Sequence, residues 1–312
     1  MGKIYTIGEA LIDFIPVQTA ANLSAVDAFQ KRPGGAPANV AVAAAKLGAE
    51  AYFIGMVGDD PFGHFLKDTI QNYGVNTRYL KTTKKAKTAL AFVSLAEDGQ
   101  RDFSFYRNPS ADLLLDKRDV EFTSDDYISF GSVDLVDYPV KYATEYLLQK
   151  AKAANATILF DPNIRKDLWD DLDECRQTVL SFMKYANIVK MADDEVEFIT
   201  GKSTVKEAIE VVKQYGVEHV IVTYGPEGSD AYLKHCHSHA DARKVDPIDT
   251  TGAGDTFVGA LLYYLDHHKQ KPDHISPEMM KEGLCFANHA AAIVTTKKGA
   301  MNAAPTLEEL QK

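Results

Sequence analysis

The sequence is poor in the features that would assign it to several common classes. It has three cysteines, Cys175, Cys236 and Cys285, odd in number, far apart and at no metal-ligand spacing. A disulfide framework and a zinc ribbon are both disfavoured, and reduced thiols in a cytoplasmic protein are the simplest reading. Basic charge is also scarce. Against 44 Asp and Glu there are 34 Lys and Arg, a formal charge of −10, the wrong balance for a nucleic-acid binder. The one basic cluster, KTTKKAK at 81–87, reads as a solvated loop or edge-strand device rather than a polyanion site. No apolar run reaches the roughly 18 residues of a membrane span. The opening MGKIYTIGEALIDF enters a strand-like pattern without a basic segment and apolar core ahead of it, so no signal peptide is expected. Repeats and low-complexity linkers are lacking too.

What is present is alternation. KIYTIG, AYFIGMVG, YISFGSV, TILFDPN, NIVKM and HVIVTYG are short apolar runs of buried-strand character. Segments of helical pattern stand between or after them, from PANVAVAAAKLG to TFVGALLYYLDHH. The order predicts an α/β fold, a mostly parallel sheet with helices on both faces. Two stretches, about 10–33 and 88–108, break the pattern and are followed by no crossover helix. The second alternates apolar and polar residues around EDGQ, a hairpin signal. Together they predict a small antiparallel β lid built from two separate pieces of one 312-residue domain.

Chemistry concentrates in two motifs. DTTGAGDTF, 249–257, sets Gly252, Ala253 and Gly254 at the start of an apolar helix. Helix N-termini carry unpaired N–H groups and partial positive charge, and residues without bulk let an anion approach them. Asp255 follows on the first turn. A carboxylate beside a phosphate makes sense if it removes a proton from a neutral nucleophile, so the set fits phosphoryl transfer to a hydroxyl. A glycine loop with a capping carboxylate is the plainer alternative. PGGAPANVAVAAAKLG, 33–48, has a permissive Gly34-Gly35 turn, Pro37 near the helix start, Asn39 on the first turn and Gly48 past the end. It suits contact with sugar hydroxyls, or ordinary helix punctuation.

In combination, and with VGDDPFG at 57–63 between them, these motifs resemble the two signatures of the ribokinase-like (PfkB) sugar kinases over nearly the whole chain. The resemblance implies a Rossmann-like domain with a β lid, ATP, Mg²⁺ and phosphorylation of a sugar hydroxyl. Asp255 would be the base, with Gly252, Ala253 and Gly254 as the anion hole. Asp13, Gly34, Gly35 and Asn39 match the sugar contacts. Lys190 and Glu195 match the segment near the phosphates and hydrated Mg²⁺, although Ala192 stands where ribokinases have an asparagine. Thr223, Gly225, Gly228 and Asn288 match the nucleotide site, and Asp249, Thr251 and Gly299 a K⁺ site. A homodimer through the lid is implied as well.

FDPNIRKDLW at 160–169 and FSFYRNPSADLLL at 103–115 resemble fructokinases and 2-keto-3-deoxygluconate kinases more than ribokinases, and FGSVDL at 130–135 leans to the former. Fructose is therefore the expected substrate and 2-keto-3-deoxygluconate the alternative, ahead of ribose and aminoimidazole riboside. A catalytically silent relative would be expected to have lost Asp255 or the glycine turn. Arg107 and Arg165 are the discriminating residues, since a guanidinium can fork onto a sugar carboxylate or donate to hydroxyls.

Three other features invite a functional reading. TGKST at 200–204 lacks the upstream glycine of a P-loop, Val196 occupying that position, and reads as a helix end followed by a helix cap. His235, His237 and His239 would share one face of a strand and could hold zinc. With no fourth ligand nearby, a solvated hairpin is the better reading. His289, on an alanine-rich helix, reads as a packing residue.

Overall fold

The computed structural model describes residues 2–17, 23–95 and 101–311. In chain order the strands are β1 (Ile4–Ile7), β2 (Leu11–Pro16), β3 (Phe29–Gly34), β4 (Ala51–Gly58), β5 (Leu80–Thr83), β6 (Leu90–Leu95), β7 (Arg101–Tyr106), β8 (Tyr127–Phe130), β9 (Thr157–Phe160), β10 (Ile188–Ala192), β11 (His219–Thr223), β12 (Ser229–Tyr232) and β13 (His237–Ala240). The longer helices are α1 (Ala36–Lys46), α2 (Pro61–Asn72), α3 (Pro139–Ala153), α4 (Leu172–Phe182), α5 (Asp193–Thr200), α6 (Val205–Lys213), α7 (Ala253–His267) and α8 (Pro277–Thr295).

Nine strands form one sheet in the order β13-β12-β11-β10-β9-β8-β1-β4-β5. Its run from β11 to β5 is parallel, and β12 and β13 add an antiparallel edge. Successive residues of a strand point to opposite faces, and both faces here are apolar. Ile128, Phe130, Ile158 and Phe160 pack under α3, α4, α5 and α6, with the Phe130 and Phe160 rings stacked 4.3 Å apart. Tyr127, Leu159, Ile188 and Ile221 pack under α1, α7 and α8. Coverage on both sides is why the strands read as unbroken apolar runs. From β1 the chain crosses by α1 to β4 on one side, while β8 to β11 build outward on the other. The β1/β8 junction is thus the point where ligands bind in such sheets, beyond the carboxyl ends of the strands.

The lid is a four-stranded sheet, β3-β2-β6-β7. Its strands come from two separate stretches of chain, 11–34 and 90–106. The expectation of an all-antiparallel flap needs correction, because β2 and β6 pair in parallel, Ile12 opposite Leu90. The cause is topological. The chain leaves the carboxyl edge of the main sheet after β1 and again after β5, so both lid strands run outward in one direction. The EDGQ turn at 97–100 lies outside the described residues. Alternation along β2 sends Leu11 and Asp13 toward the cleft and Ile12 and Phe14 the other way. There Phe14 stacks on Phe92 and meets Phe62 of α2 edge-on.

Smaller expectations resolve simply. The basic cluster begins on β5, the edge strand. TGKST is a helix end and a cap: Gly201 closes α5 at φ 67°, and Thr204 caps α6. His237 and His239 lie on β13, the exposed edge, and both contact Asp230. His235 is in the preceding turn and not on the strand. Among the described residues no helix is long and apolar enough to cross a membrane.

Asp60 ties the lid to the main sheet. It caps α2 by accepting from Phe62 N and Gly63 N, both at 3.0 Å, and takes Thr88 N and Thr88 Oγ1, both at 2.9 Å, at the entry to β6. Burial alone would raise its carboxyl; the backbone donors of Thr88 and Gly63 and the Thr88 hydroxyl outweigh it, and the net direction is down. A depressed carboxyl stabilises the fold above its unfolded value of about 4, and this stability is lost as pH falls through the folded value. Replacing Asp60 by Ala is expected to lower the free energy of unfolding by about 2–4 kcal/mol near neutrality. The gap from wild type should narrow in acid; urea titrations at pH 7 and below pH 4 test both.

Candidate active site

Helix α7 begins where the sequence places its glycines. Gly252 is its N-cap, left-handed at φ 77°, and a Cβ there would come within 2.6 Å of Ala300. The Ala253 N–H turns back to Thr250 O at 3.3 Å. Gly254 and Asp255 follow in the first turn, where N–H groups have no intrahelical acceptor. Asp255 is buried. Its Oδ2 accepts from Asn39 Nδ2 at 2.8 Å and its Oδ1 from Asn163 Nδ2 at 3.3 Å. Burial pushes the carboxyl upward; the Asn39 amide, Arg165 and Lys190 oppose that push without cancelling it.

These groups open into a cleft of about 270 Å³ between the carboxyl edge of the main sheet and the lid. Asp13 and Phe105 face it from the lid, Gly35 and Asn39 from the start of α1, Arg165 from the loop after β9, and Gly252, Ala253, Gly254 and Asp255 from α7. Gly34 lies just outside the lining, with room for Asp13 only because it has no side chain: a Cβ would stand 2.1 Å from Asp13 Oδ2.

Lys190 is buried on β10, its Nζ 3.3 Å from each oxygen of Asp161. A Cβ on Gly254 would sit 3.4 Å from that Nζ, so the ammonium stands directly beside the glycine turn. Burial would lower its pKa, but Asp161, then Glu195, reverse the direction, and the lysine is a stable cation. Glu195 on α5 accepts from Ala192 N at 2.9 Å and Ile164 N at 2.7 Å. Its carboxyl is raised by burial and by Asp161.

Other predicted residues lie elsewhere. Arg107 is absent from the cleft lining. It is buried behind it, with Nε 2.8 Å from Asp112, Nη1 3.1 Å from Val133 O, and Nη2 on both Asp112 and Asp134. Thr223, Gly225 and Gly228 form the turn from β11 to β12, at the same edge of the sheet but outside the cleft. Asn288 is buried on α8. Its Nδ2 donates to Ala240 O at 2.9 Å and its Oδ1 accepts from Ser229, so the amide fastens α8 to the edge strands. Asp249 accepts from Thr251 N and Oγ1 and from Gly299 N, joining the loop before α7 to the turn after α8. His289 is half-buried beside Arg243. The one metal-competent grouping among the described residues is Glu218, His219 and Asp273, apart from the cleft and from the β13 histidines.

Glu9, Asp161 and Asn163 are site residues that the sequence reading did not single out. FDPN was visible as a motif, but no local signal shows that its Asp meets a lysine 29 residues on or that its Asn meets Asp255.

Comparison with known proteins identifies the family. A family model described as pfkB family carbohydrate kinase matches residues 1–307. Probable fructokinase-2 of Arabidopsis thaliana is 41% identical over 309 residues, 98% of this chain and 93% of the relative. Fructokinase-1 of Zea mays is 41% identical, covering 98% and 96%. Among solved structures, a fructokinase from Vibrio cholerae O395 in fructose, ADP and calcium ion bound form superposes with a TM-score of 0.90 at 32% identity, covering 100% and 98% of the two chains. Aminoimidazole riboside kinase from Salmonella enterica, complexed with aminoimidazole riboside and an ATP analog, gives 0.86 at 31%, covering 99% and 98%. The chain belongs to the pfkB family of carbohydrate kinases.

Proposed function

We propose that this ATP-dependent sugar kinase is a fructokinase, converting D-fructose and ATP to D-fructose 6-phosphate and ADP. The observation that carries the mechanism is the buried Asp255 carboxylate on the first turn of α7, held by Asn39 and Asn163. Both amides donate to it, which keeps it an acceptor and orients it. Asp255 takes the proton of the attacking hydroxyl, and the N–H groups of the glycine turn and Lys190 receive charge on the transferring phosphoryl group. Asp13, Gly34, Gly35 and Asn39 bind the sugar beneath the lid. Thr223, Gly225, Gly228 and Asn288 bound the nucleotide site.

The donor set fits a hydrated divalent cation. Asp161, Glu195 and Asp255 outnumber Lys190 and Arg165 in this buried region, and Glu195 already holds two backbone N–H groups, so it would reach Mg²⁺ through water. When bound there, Mg²⁺ would supply charge neutralisation on the ATP phosphates. Asp249, Thr251 and Gly299 would hold K⁺; their shared hydrogen bonds fix the loop that leads into α7.

The Asp255→Asn variant is expected to retain ATP and sugar binding and lose about 10²–10⁴-fold in kcat. Turnover within threefold of wild type would remove Asp255 as the base.

Fructose is preferred over the sugar acid on electrostatic grounds. Of the two candidate guanidiniums, Arg107 is committed to Asp112 and Asp134 and only Arg165 lines the cleft; with Lys190 it faces four carboxyl groups there, Glu9, Asp13, Asp161 and Asp255. An incoming carboxylate meets more negative than positive charge. The expected kcat/KM for fructose exceeds that for 2-keto-3-deoxygluconate by about 10²-fold or more. Ribose and aminoimidazole riboside complete the panel. A preference for the acid, abolished by Arg165→Lys, would reverse the assignment.

The lid also supplies a dimer contact in this proposal. Val17 and Tyr106 are 69% and 64% exposed at its margin, beside the Phe14, Phe29 and Phe92 cluster, and a second lid would cover them. Sedimentation at micromolar concentration should give a dimer, and Tyr106→Lys should shift it to monomer.

A further inference from the structure

Glu9 follows β1 at the β1/β8 junction and lines the cleft. It is 3% exposed. Its Oε1 accepts from Ala36 N at 2.8 Å, at the first residue of α1, and the Glu9 backbone N–H also supports the carboxylate, two backbone donors for a group able to accept about four. Behind it stands a buried group with too few cations. Arg107, following β7, is shared by Asp112 and by Asp134 of the loop after β8. Asp134 Oδ2 is itself buried without a partner. One guanidinium therefore contacts two carboxylates, and Glu9 feels it only through space. Asp13 faces the same cleft from the lid, with Asp161, Asp255, Lys190 and Arg165 on the floor. A carboxylate with acceptor capacity to spare at the wall of a small polar cleft gains from a donor arriving with the ligand.

We infer that Glu9 is a substrate-binding residue, its Oε2 accepting a hydrogen bond from a hydroxyl of the sugar while its Oε1 holds the start of α1. This rests on the sugar-kinase reading but not on which sugar is used. The Arg107 cluster positions Glu9 and keeps it partly compensated. Because Ala36 is the first residue of α1, the helix that carries Asn39, the same carboxylate couples sugar contact to the placement of the amide that holds Asp255. Burial pushes the Glu9 carboxyl up to about 7 in the free protein, against the pull of Arg107. A hydroxyl donating to the ionised form lowers it again, so sugar binding near neutrality releases protons.

The test is a cycle of wild type and Glu9→Gln against the best sugar of the panel and its monodeoxy analogues. Glu9→Gln should raise the sugar KM by about 10–100-fold, with the ATP KM as a control for folding. One monodeoxy analogue should lose a comparable factor on wild type and little on the variant, since each removes the same bond. Glu9→Asp serves the same cycle if the Gln variant does not fold. Calorimetry in two buffers of different ionisation enthalpy should show proton release on sugar binding to wild type and none attributable to this site in Glu9→Gln. Equal losses for every analogue on both proteins, or equal proton release, would overturn the assignment. Either result would leave the kinase reading intact, whereas absent fructose turnover in wild type would strike only the fructokinase reading, the cycle being run on the sugar that is used.

Discussion

Everything in the site depends on holding one carboxylate, Asp255, ionisable and dry at the start of a helix. Its two oxygens are each fixed by an amide from a different part of the chain, Asn39 from α1 and Asn163 from the loop after β9. Helix α7 supplies the partial positive charge that makes the position tolerable for an anion. The same helix is buried against α1 and α8, so the carboxylate cannot swing into water without disturbing the core. Burial raises its proton affinity, and the Asn39 amide, then Arg165 and Lys190, restrain the rise without cancelling it. That balance suits a base that must accept a proton and give it up in each cycle.

The charges around it are arranged in pairs and triads of different tightness. Lys190 on β10 faces Asp161, the residue just after the neighbouring strand β9, both buried and close to the glycine turn. Arg107 is further back, saturated by Asp112 and Asp134. The lysine is thus left beside the place where phosphoryl charge would develop, and the arginine is withdrawn from it. Two cations of similar appearance in sequence therefore have opposite access to a ligand, decided by which acids the topology places next to them.

The lid shows how far topology controls chemistry. Its strands arise from two separate excursions off the carboxyl edge of the main sheet, which makes β2 and β6 parallel and sets their alternation in register. One face then carries Leu11, Asp13 and Phe105 into the cleft. The other stacks Phe14 and Phe92 over α2. Asp60 fastens the base of this lid by capping α2 and receiving Thr88 at once.

Local patterns in the sequence determined the sheet and its helices, the two chain segments of the lid, and the glycine turn with Asp255 after it. All are encoded within a few residues, by periodicity, by capping chemistry and by glycine where the backbone needs a left-handed turn, as at Gly252. Asn39 could be named from its own motif, and Lys190 through the family resemblance of the segment around it. What only the tertiary structure decided are the meetings between distant segments. These are Asn163 on Asp255, Asp161 on Lys190, the capture of Arg107 by Asp112 and Asp134, the parallel pairing inside the lid, and Glu9 at the cleft wall. A single sequence carries no marker for such contacts. Charge pairing has no period, and whether a guanidinium or a carboxylate is available to a ligand depends on what the fold brings against it from tens of residues away.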